Sequence, residues 1–308
     1  RAAAYAIGQA EASGAIPWHF WDQEAGGWLD TRRWPELWTD YRGRRPPTGL
    51  LQQVSGDTGW AADTAHQPDL SYVPYLLTGR RAFLDAIQAQ AAWSVMSRPT
   101  NPLWGRGTQG GLAEGVNLTR AAQVRGAAWS LRQIGNAAWA NPAGDTQLAW
   151  SAMAEQANWA WIRSRIPAWT AEQGEAHGWI RGEYGTPGAL PPWQQDMFAS
   201  AAGAAARRGQ ADARAVLAWM ENFLAGRFLA AGRGFNPRDG CAYLSAISAP
   251  EAWGRPFTTW ARIAAETEKR GWSNGTGWSQ SGANYGAWAL QSLAVLIDVL
   301  GSEPARRA

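Results

Sequence analysis

The chain has 308 residues, of which 46% are hydrophobic and 17% charged, and its formal net charge is +3. This composition is typical of a globular protein, and the charge is far from the basic tract of a nucleic-acid-binding protein. The one cysteine, Cys241, excludes an internal disulfide framework and any multi-cysteine metal site.

Apolar residues recur at helical spacing in eight segments that contain no internal proline. In chain order, the pattern predicts helices over residues 1–13, 82–97, 118–139, 146–163, 193–208, 212–229, 258–269 and 282–300. Sustained alternation of β-branched residues, the pattern of a strand, is nearly absent. We therefore predict an all-α chain.

Four long stretches without helical spacing separate these segments: residues 14–62, 98–116, 168–192 and 230–256. Loops of this length in a compact domain are commonly functional, and these are rich in Trp and Gly. Several alanine-rich helical stretches end in an indole, as in "AIQAQAAW" and "AAQVRGAAW". Such faces allow helices to approach closely. These alanine-rich helical stretches predict a single domain over residues 1–308, an (α/α) barrel or toroid of antiparallel helical hairpins.

The chain contains 22 tryptophans. An amphipathic indole in a groove is a stacking platform for a sugar ring, whereas a buried one fills space between helices, and both interpretations stay open for each tryptophan. Between residues 14 and 45, five tryptophans alternate with carboxylates, which would repel the phosphates of a single-stranded nucleic acid. We predict that Trp18, Trp21 and Trp60 stack against sugars.

The segment "DTAHQPDLSYVPYL", residues 63–76, has a histidine nine positions before a tyrosine. Asp63 or Thr64 can cap a helix with Pro68 in its first turn, which would make His66 a structural residue. On a straight helix His66 and Tyr75 would lie on opposite faces, but the prolines between them allow the pair to converge. A catalytic pair and a capped helix start both remain open.

Two further segments combine charged and aromatic residues. Arg125, Trp129 and Arg132 are spaced to form one stripe of a helix, either a wall that holds an anion or a salt-bridged face. The loop at residues 177–198 gathers His177, Arg181, Glu183, Tyr184 and Asp196. Loops on a rigid scaffold commonly carry function, although a carboxylate in the first turn of a helix also has a structural use.

The stretch His66-Gln67-Pro68-Asp69-Leu70 followed by Tyr75 resembles the catalytic segment of the chondroitin AC and hyaluronate lyases. These belong to the (α/α) barrel enzymes that process polysaccharides. The resemblance implies a toroid, and its arginine pair would fall near Arg120 and Arg125. The asparagine that precedes the histidine in those lyases has no counterpart, since the first asparagine here is Asn101.

On this resemblance we predict a polysaccharide lyase that cleaves a uronate-containing glycan by β-elimination. Tyr75, or Tyr72 in its place, would be the base and then the acid, and His66 a second base or a hydrogen-bond partner of the carboxylate. Arg125 and Gln67 would hold the anion. Other residues predicted to bind substrate are Arg120, Trp129, Asn284 and Tyr285. No cofactor and no metal are expected.

Two other functions stay open at this point. A glycoside hydrolase on the same scaffold would use two carboxylates, and the residues suited to that role are Asp63, Glu183 and Asp196. A non-catalytic glycan-binding protein would need only the tryptophans. The expected partner is in every case a polysaccharide or oligosaccharide, with no nucleic acid and no membrane span. Because the chain starts at Arg1 and not at methionine, we expect a removed leader and a secreted or periplasmic protein.

Overall fold

A computed structural model describes residues 1–13, 21–28, 65–67, 69–96, 123–182, 184–250, 255–275 and 283–308. Over these residues the chain is mostly helical, so the prediction of an all-α chain is confirmed. None of the helices in these ranges is both long and apolar enough to cross a membrane.

The helices of this part of the chain are α1 (Ala2–Ser13), α2 (Tyr72–Thr78), α3 (Arg81–Met96), α4 (Val124–Ala140), α5 (Leu148–Gln173), α6 (Pro192–Arg207), α7 (Ala211–Leu224), α8 (Gly226–Leu229), α9 (Trp260–Lys269), α10 (Ala283–Leu300) and α11 (Glu303–Arg307). Two antiparallel pairs of two-residue strands accompany them: β1 (Trp21–Asp22) with β2 (Gly27–Trp28), and β3 (Ala189–Leu190) with β4 (Ser245–Ala246).

The predicted end of α5 at residue 163 was wrong, because the helix continues through Pro167 to Gln173. A proline inside a helix removes one backbone hydrogen bond and costs about 3 kcal/mol. The turn that follows it is held by tertiary contacts: Trp169 is buried, and the indole of Trp219 donates to the hydroxyl of Thr170 at 2.8 Å. Packing therefore outweighs the local preference of the proline.

The chain divides into two compact units. Unit 1 comprises residues 1–122 and 129–161, and unit 2 comprises residues 123–128 and 162–308. Helices α4 and α5 each contribute residues to both units. The single domain and the closure of the helices into a toroid stay predictions.

In unit 1, α1 packs against α2, α2 against α3, and α3 against β2. A chain of side-chain hydrogen bonds ties these elements to α5. Trp28 donates to Gln88 at 2.8 Å, Gln88 to Asn141 at 2.7 Å, and Asn141 to Ser151 at 3.2 Å. Buried polar groups are stable only when they are hydrogen-bonded, so this chain fixes the hairpin β1–β2 on the helices.

In unit 2, α6 packs against both α7 and α10. Helices α6 and α10 run in the same direction, since Trp193 meets Tyr285 in their first turns and Gly203 meets Val295 further along both. A Cβ at position 203 would clash with a methyl carbon of Val295. The absence of a side chain at Gly203 is therefore what lets the two helices approach.

Candidate active site

A half-buried cluster of four aromatic side chains lies in unit 2, and we call it the aromatic cluster: Tyr184, Trp193, Tyr243 and Tyr285. Trp193 is in the first turn of α6 and Tyr285 in the first turn of α10, with their rings 5.8 Å apart. Tyr243 precedes β4; its ring stacks on Trp193 at 6.2 Å and meets Tyr285 at 5.5 Å. Tyr184, in the loop before β3, contacts Tyr243 edge-on at 6.3 Å.

The phenol groups of the cluster interact with one another. The hydroxyls of Tyr184 and Tyr243 are hydrogen-bonded. Burial raises the pKa of Tyr184 above its ordinary value, and the hydrogen bond with Tyr243 raises it further. Burial also raises the pKa of Tyr285, while the positive charge of Arg125 opposes the increase in both. Within the described part of the chain, the pKa values of Tyr184 and Tyr285 are thus set by burial, by neighbouring phenols and by the Arg125 cation.

Arg125, at the start of α4, is held beside this cluster. Its guanidinium lies 5.2 Å from the ring centre of Trp193, within range of a cation–π contact, and donates to the side chain of Gln123 at 3.0 Å. Its backbone N–H donates to Gln194, the residue after Trp193, at 3.1 Å. The first turns of α4 and α6 therefore fix each other and fix the cation against the indole.

Asp196 lies one turn further along α6 and is not accessible to a substrate. Its carboxylate pairs with Arg227 and accepts a hydrogen bond from Ser292 at 2.6 Å, and both charged side chains are at most 2% exposed. Burial raises the pKa of Asp196, and the charge of Arg227 opposes this. In this position the carboxylate joins α6, α8 and α10, which is a structural role.

In unit 1, the segment with His66 and Tyr75 is not one helix. Residues 65–67 and 69–71 are non-helical, and α2 begins only at Tyr72. His66 is exposed, whereas Tyr72 and Tyr75 are half-buried. Both tyrosines thus lie on a short helix that follows the histidine. The predicted cap residues, Asp63 and Thr64, lie outside the described residues.

Gln67 and Asp69 attach this segment to α4. The Gln67 amide donates to Ser130 at 2.8 Å and accepts from Ser94 at 3.1 Å, so it is a buried structural group where we expected an anion-binding one. Asp69 accepts from Asn136 at 2.8 Å and lies 3.5 Å from Arg132.

The stripe predicted on α4 is divided between the two units. Arg125 is counted with unit 2, whereas Trp129 and Arg132 are counted with unit 1. In unit 1 the Arg132 guanidinium stacks on Trp129 at 4.1 Å and pairs with Asp69. Burial lowers the pKa of Arg132, and the charge of Asp69 opposes this. For Arg132 the salt-bridged interpretation therefore applies.

Trp21 lies on the β1–β2 hairpin of unit 1, and its indole is 52% exposed. The ring meets Trp28 edge-on at 5.2 Å, and the turn is closed by the Asp22 carboxylate, which accepts from the backbone of Glu24 and Ala25. The indole is thus presented on a fixed support, as a stacking platform requires.

Several predicted site residues lie outside the described part of the chain: Trp18, Trp60, Asp63, Arg120 and Glu183. Asn284 belongs to α10, but its side chain is likewise outside that part. Among the residues that are described, no three His, Cys, Asp or Glu side chains are arranged to hold a metal ion.

Of the aromatic cluster, only Tyr285 is among the predicted site residues. Tyr184 is named only as part of the loop at residues 177–198, and neither Trp193 nor Tyr243 is predicted. Trp193 follows "LPP" at a predicted helix start, and a proline at that position with an adjacent indole was the available signal. Tyr243 lies in an irregular stretch with no periodicity, so no local pattern distinguishes it. No protein-family model, curated protein or solved structure matches this chain.

Proposed function

We propose that the protein is a polysaccharide lyase that cleaves a uronate-containing glycan by β-elimination, with the aromatic cluster as its active site. The observation that carries this proposal is the placement of the Arg125 cation beside three tyrosines and one indole in a half-buried site. This moves the predicted base from Tyr75 to a tyrosine of unit 2, while Arg125 keeps the anion-binding role predicted for it.

The chemistry of elimination requires the groups that the cluster contains. A phenolate removes the proton on the carbon next to the uronate carboxylate, and that electron pair forms a new C=C bond as the adjacent bond to the glycosidic oxygen breaks. The phenol then gives its proton to the departing oxygen. A cation on the carboxylate stabilises the charge that develops in the transition state. Arg125 would supply that cation, and the half-buried setting of the cluster strengthens its effect.

The aromatic rings supply the remaining requirement, which is a surface for the sugar. Trp193 is 8% exposed and Tyr243 is 37% exposed, so of these two stacked rings Tyr243 presents the larger area to a ligand. Aromatic rings with a polar end suit a ligand that has one apolar face and one hydrated edge. A sugar ring has both.

The toroid is part of the same proposal. Parallel neighbours α6 and α10, with α7 packed against both, form the kind of unit that repeats around an (α/α) barrel. A secreted or periplasmic location would suit a polymeric substrate.

The Asp196 carboxylate gives little support to the hydrolase. A hydrolase needs two carboxylates on either side of the scissile bond, but Asp196 is buried in an ion pair. Its negative charge is already matched by Arg227. Of the described groups of unit 2, the phenols and the Arg125 cation therefore suit elimination better than Asp196 suits hydrolysis.

The proposal is tested by incubating the protein with a panel of acidic and neutral polysaccharides while ultraviolet absorbance and reducing ends are followed together. Elimination produces a conjugated double bond with each new reducing end, so both signals must rise in proportion. Reducing ends without absorbance would contradict the lyase and support a hydrolase. Binding without either signal would favour a non-catalytic glycan-binding protein.

Variants then locate the site. We expect Tyr243→Phe or Arg125→Gln to lower kcat about 100-fold or more, in the range of a lost base or lost charge stabilisation. Tyr5→Phe, on the exposed surface of α1, is the matched control and should keep full activity. If Tyr75→Phe abolishes elimination and Tyr243→Phe does not, the active site is the one predicted from the sequence.

A further inference from the structure

The two hydrogen-bonded tyrosines of the aromatic cluster have different roles, and this inference rests on the proposed function. We propose that Tyr243 is the base of the elimination and that Tyr184 is a positioning residue, whose hydroxyl donates to the Tyr243 oxygen and stabilises its phenolate. Proton abstraction in this site would therefore depend on a pair of phenols and not on a single one.

The packing distinguishes the two side chains. Tyr243 occupies the centre of the cluster, since its ring contacts Tyr184, Trp193 and Tyr285. It also remains 37% exposed, so a ligand can reach it. Its ring is held between the indole and a second phenol, so the direction of its hydroxyl is set by packing. A base has to be both reachable and fixed in this way.

The direction of the hydrogen bond follows from the surroundings of Tyr184. Tyr184 is the less exposed of the two phenols, and burial favours the neutral form, in line with the raised pKa of Tyr184. A phenol that stays protonated donates its hydrogen bond to the neighbouring oxygen. The proposal therefore assigns the Tyr243 oxygen as the acceptor of the hydrogen bond between the two hydroxyls.

The titratable and charged groups around Tyr243 are consistent with this assignment. Tyr184 faces it from the loop before β3, Tyr285 faces it from α10, and Arg125 lies beside the same rings at the start of α4. Arg125 favours the negative form of neighbouring phenols, as its effect on Tyr184 and Tyr285 indicates. Among the described residues, a phenolate in the cluster thus has the Arg125 cation and the Tyr184 hydroxyl beside it.

In the reaction, the Tyr243 phenolate accepts the proton from the carbon next to the carboxylate and becomes a phenol. The electron pair of the broken C–H bond forms the C=C bond, and the electrons of the C–O bond leave with the glycosidic oxygen. The Tyr243 phenol then donates its proton to that oxygen. This restores the phenolate, with Tyr184 keeping its own proton throughout.

The test observes the tyrosines directly and does not depend on activity. The chain has seven tyrosines, so carbon-13 labelling at the ring carbon bearing the hydroxyl gives few NMR signals, which single Tyr→Phe variants assign. We expect Tyr184→Phe to raise the titration midpoint of Tyr243 by about 1 to 2 pH units, because the hydrogen-bond donor to the phenolate is lost. Tyr5→Phe, the matched control, should leave that midpoint unchanged.

The reciprocal variant gives a second, independent result. In Tyr243→Phe, Tyr184 loses its acceptor and should ionise at lower pH. An unchanged Tyr243 midpoint in Tyr184→Phe, or a Tyr184 that ionises before Tyr243 in the unsubstituted protein, would overturn the assignment. Circular dichroism of each variant separates these results from unfolding.

Kinetics separates this inference from the proposed function. If the protein eliminates uronates, Tyr184→Phe should shift the acidic limb of the kcat/KM profile to higher pH while KM stays near its original value. An equal decrease of kcat/KM at every pH would mean that Tyr184 has a structural role only, and it would contradict the assignment. If no glycan is eliminated, the proposed function fails, and the NMR titration still decides whether Tyr184 stabilises the Tyr243 phenolate.

Discussion

Arg227 and Asp196 form an ion pair in unit 2 whose two side chains are only 1% and 2% exposed. Arg227 also donates to the backbone carbonyl of Pro192, the first residue of α6, at 3.4 Å. The same arginine thus holds the first turn of the helix that carries Trp193. The geometry of the aromatic cluster therefore depends on a charge pair that no substrate touches.

Removal of one partner of this pair should destabilise the protein strongly. We expect Asp196→Ala to lower the free energy of unfolding by about 3–5 kcal/mol, because the Arg227 charge is then buried without a counter-charge. Urea unfolding followed by tryptophan fluorescence measures the change. Asp298→Ala, which removes an exposed pair with Arg207, is the matched control and should cost at most about 1 kcal/mol. Equal losses in the two variants would contradict the expected role of the buried pair.

A methyl group at position 203 should separate α6 from α10. A Cβ there would clash with Val295, so we expect overpacking in Gly203→Ala to cost about 1–3 kcal/mol. The higher helix propensity of alanine should offset up to about 1 kcal/mol of this cost. Thermal or urea unfolding checks the sign.

Gly8→Ala is the control for this variant. Among the described residues, none lies within 4 Å of a Cβ added at that position of α1, so the gain in helix propensity should appear alone and stabilise the protein. A stabilised Gly203→Ala would mean that the two helices can move apart without loss.

The fold could be predicted from the sequence where local patterns agree with packing. The predicted helix at 212–229 is observed as α7 and α8, because its apolar residues face one core and it has no internal proline. For α5 the local pattern and the packing disagree. Pro167 predicts the end of the helix, but the contacts of Trp169 and Thr170 stabilise it as far as Gln173. Tertiary contacts of this kind have no local signature.

The candidate site could be predicted only in part, for the same reason. Arg125 and Tyr285 are both predicted site residues. In the structure, Tyr285 belongs to the aromatic cluster and Arg125 lies beside Trp193 of that cluster. Tyr243 was not recognised, since it is brought to the cluster by the fold alone. Asp196 has a partner 31 residues away, so spacing does not reveal that its charge is already matched.

The raised pKa of the Asp239 carboxyl implies that the stability of the fold depends on pH. This buried carboxylate accepts from the backbone of Asn274 and from Ser273, yet burial is the larger effect and raises its pKa above the ordinary 3.8. A carboxyl that binds its proton more tightly when folded stabilises the fold below pH 3.8, and this contribution is lost as pH rises through the raised pKa.

Asp239→Asn isolates this contribution, because it keeps the shape of the side chain and cannot titrate. The free energy of unfolding of the unsubstituted protein minus that of the variant should decrease as pH rises above about 4, by about 1.4 kcal/mol for each unit by which the folded pKa exceeds the unfolded one. Urea unfolding of both proteins from pH 3 upward, at about one-unit steps, measures it. A difference that grows with pH would contradict the direction of the shift.

Trp21 should contribute more to glycan binding than to the stability of the fold. Its exposed ring rests on Trp28. The hydrogen bonds from Trp28 to Gln88 and from Gln88 to Asn141 hold Trp28 in place whether or not Trp21 is present. We expect Trp21→Ala to raise the Kd for a bound polysaccharide about 2- to 12-fold, the equivalent of an aromatic contact worth about 0.5–1.5 kcal/mol. Affinity electrophoresis in gels containing the polysaccharide measures the change.

The matched control for this prediction is Trp139→Ala, which removes another exposed indole of unit 1 from α4. Because Trp139 is not on the hairpin, we expect its removal to leave the Kd unchanged. Equal weakening by both variants would mean that the glycan contacts exposed indoles without preference. The specific effect of Trp21 would instead place a sugar on the β1–β2 hairpin, since it is there that the exposed indole is fixed by Trp28 and by the Asp22 turn.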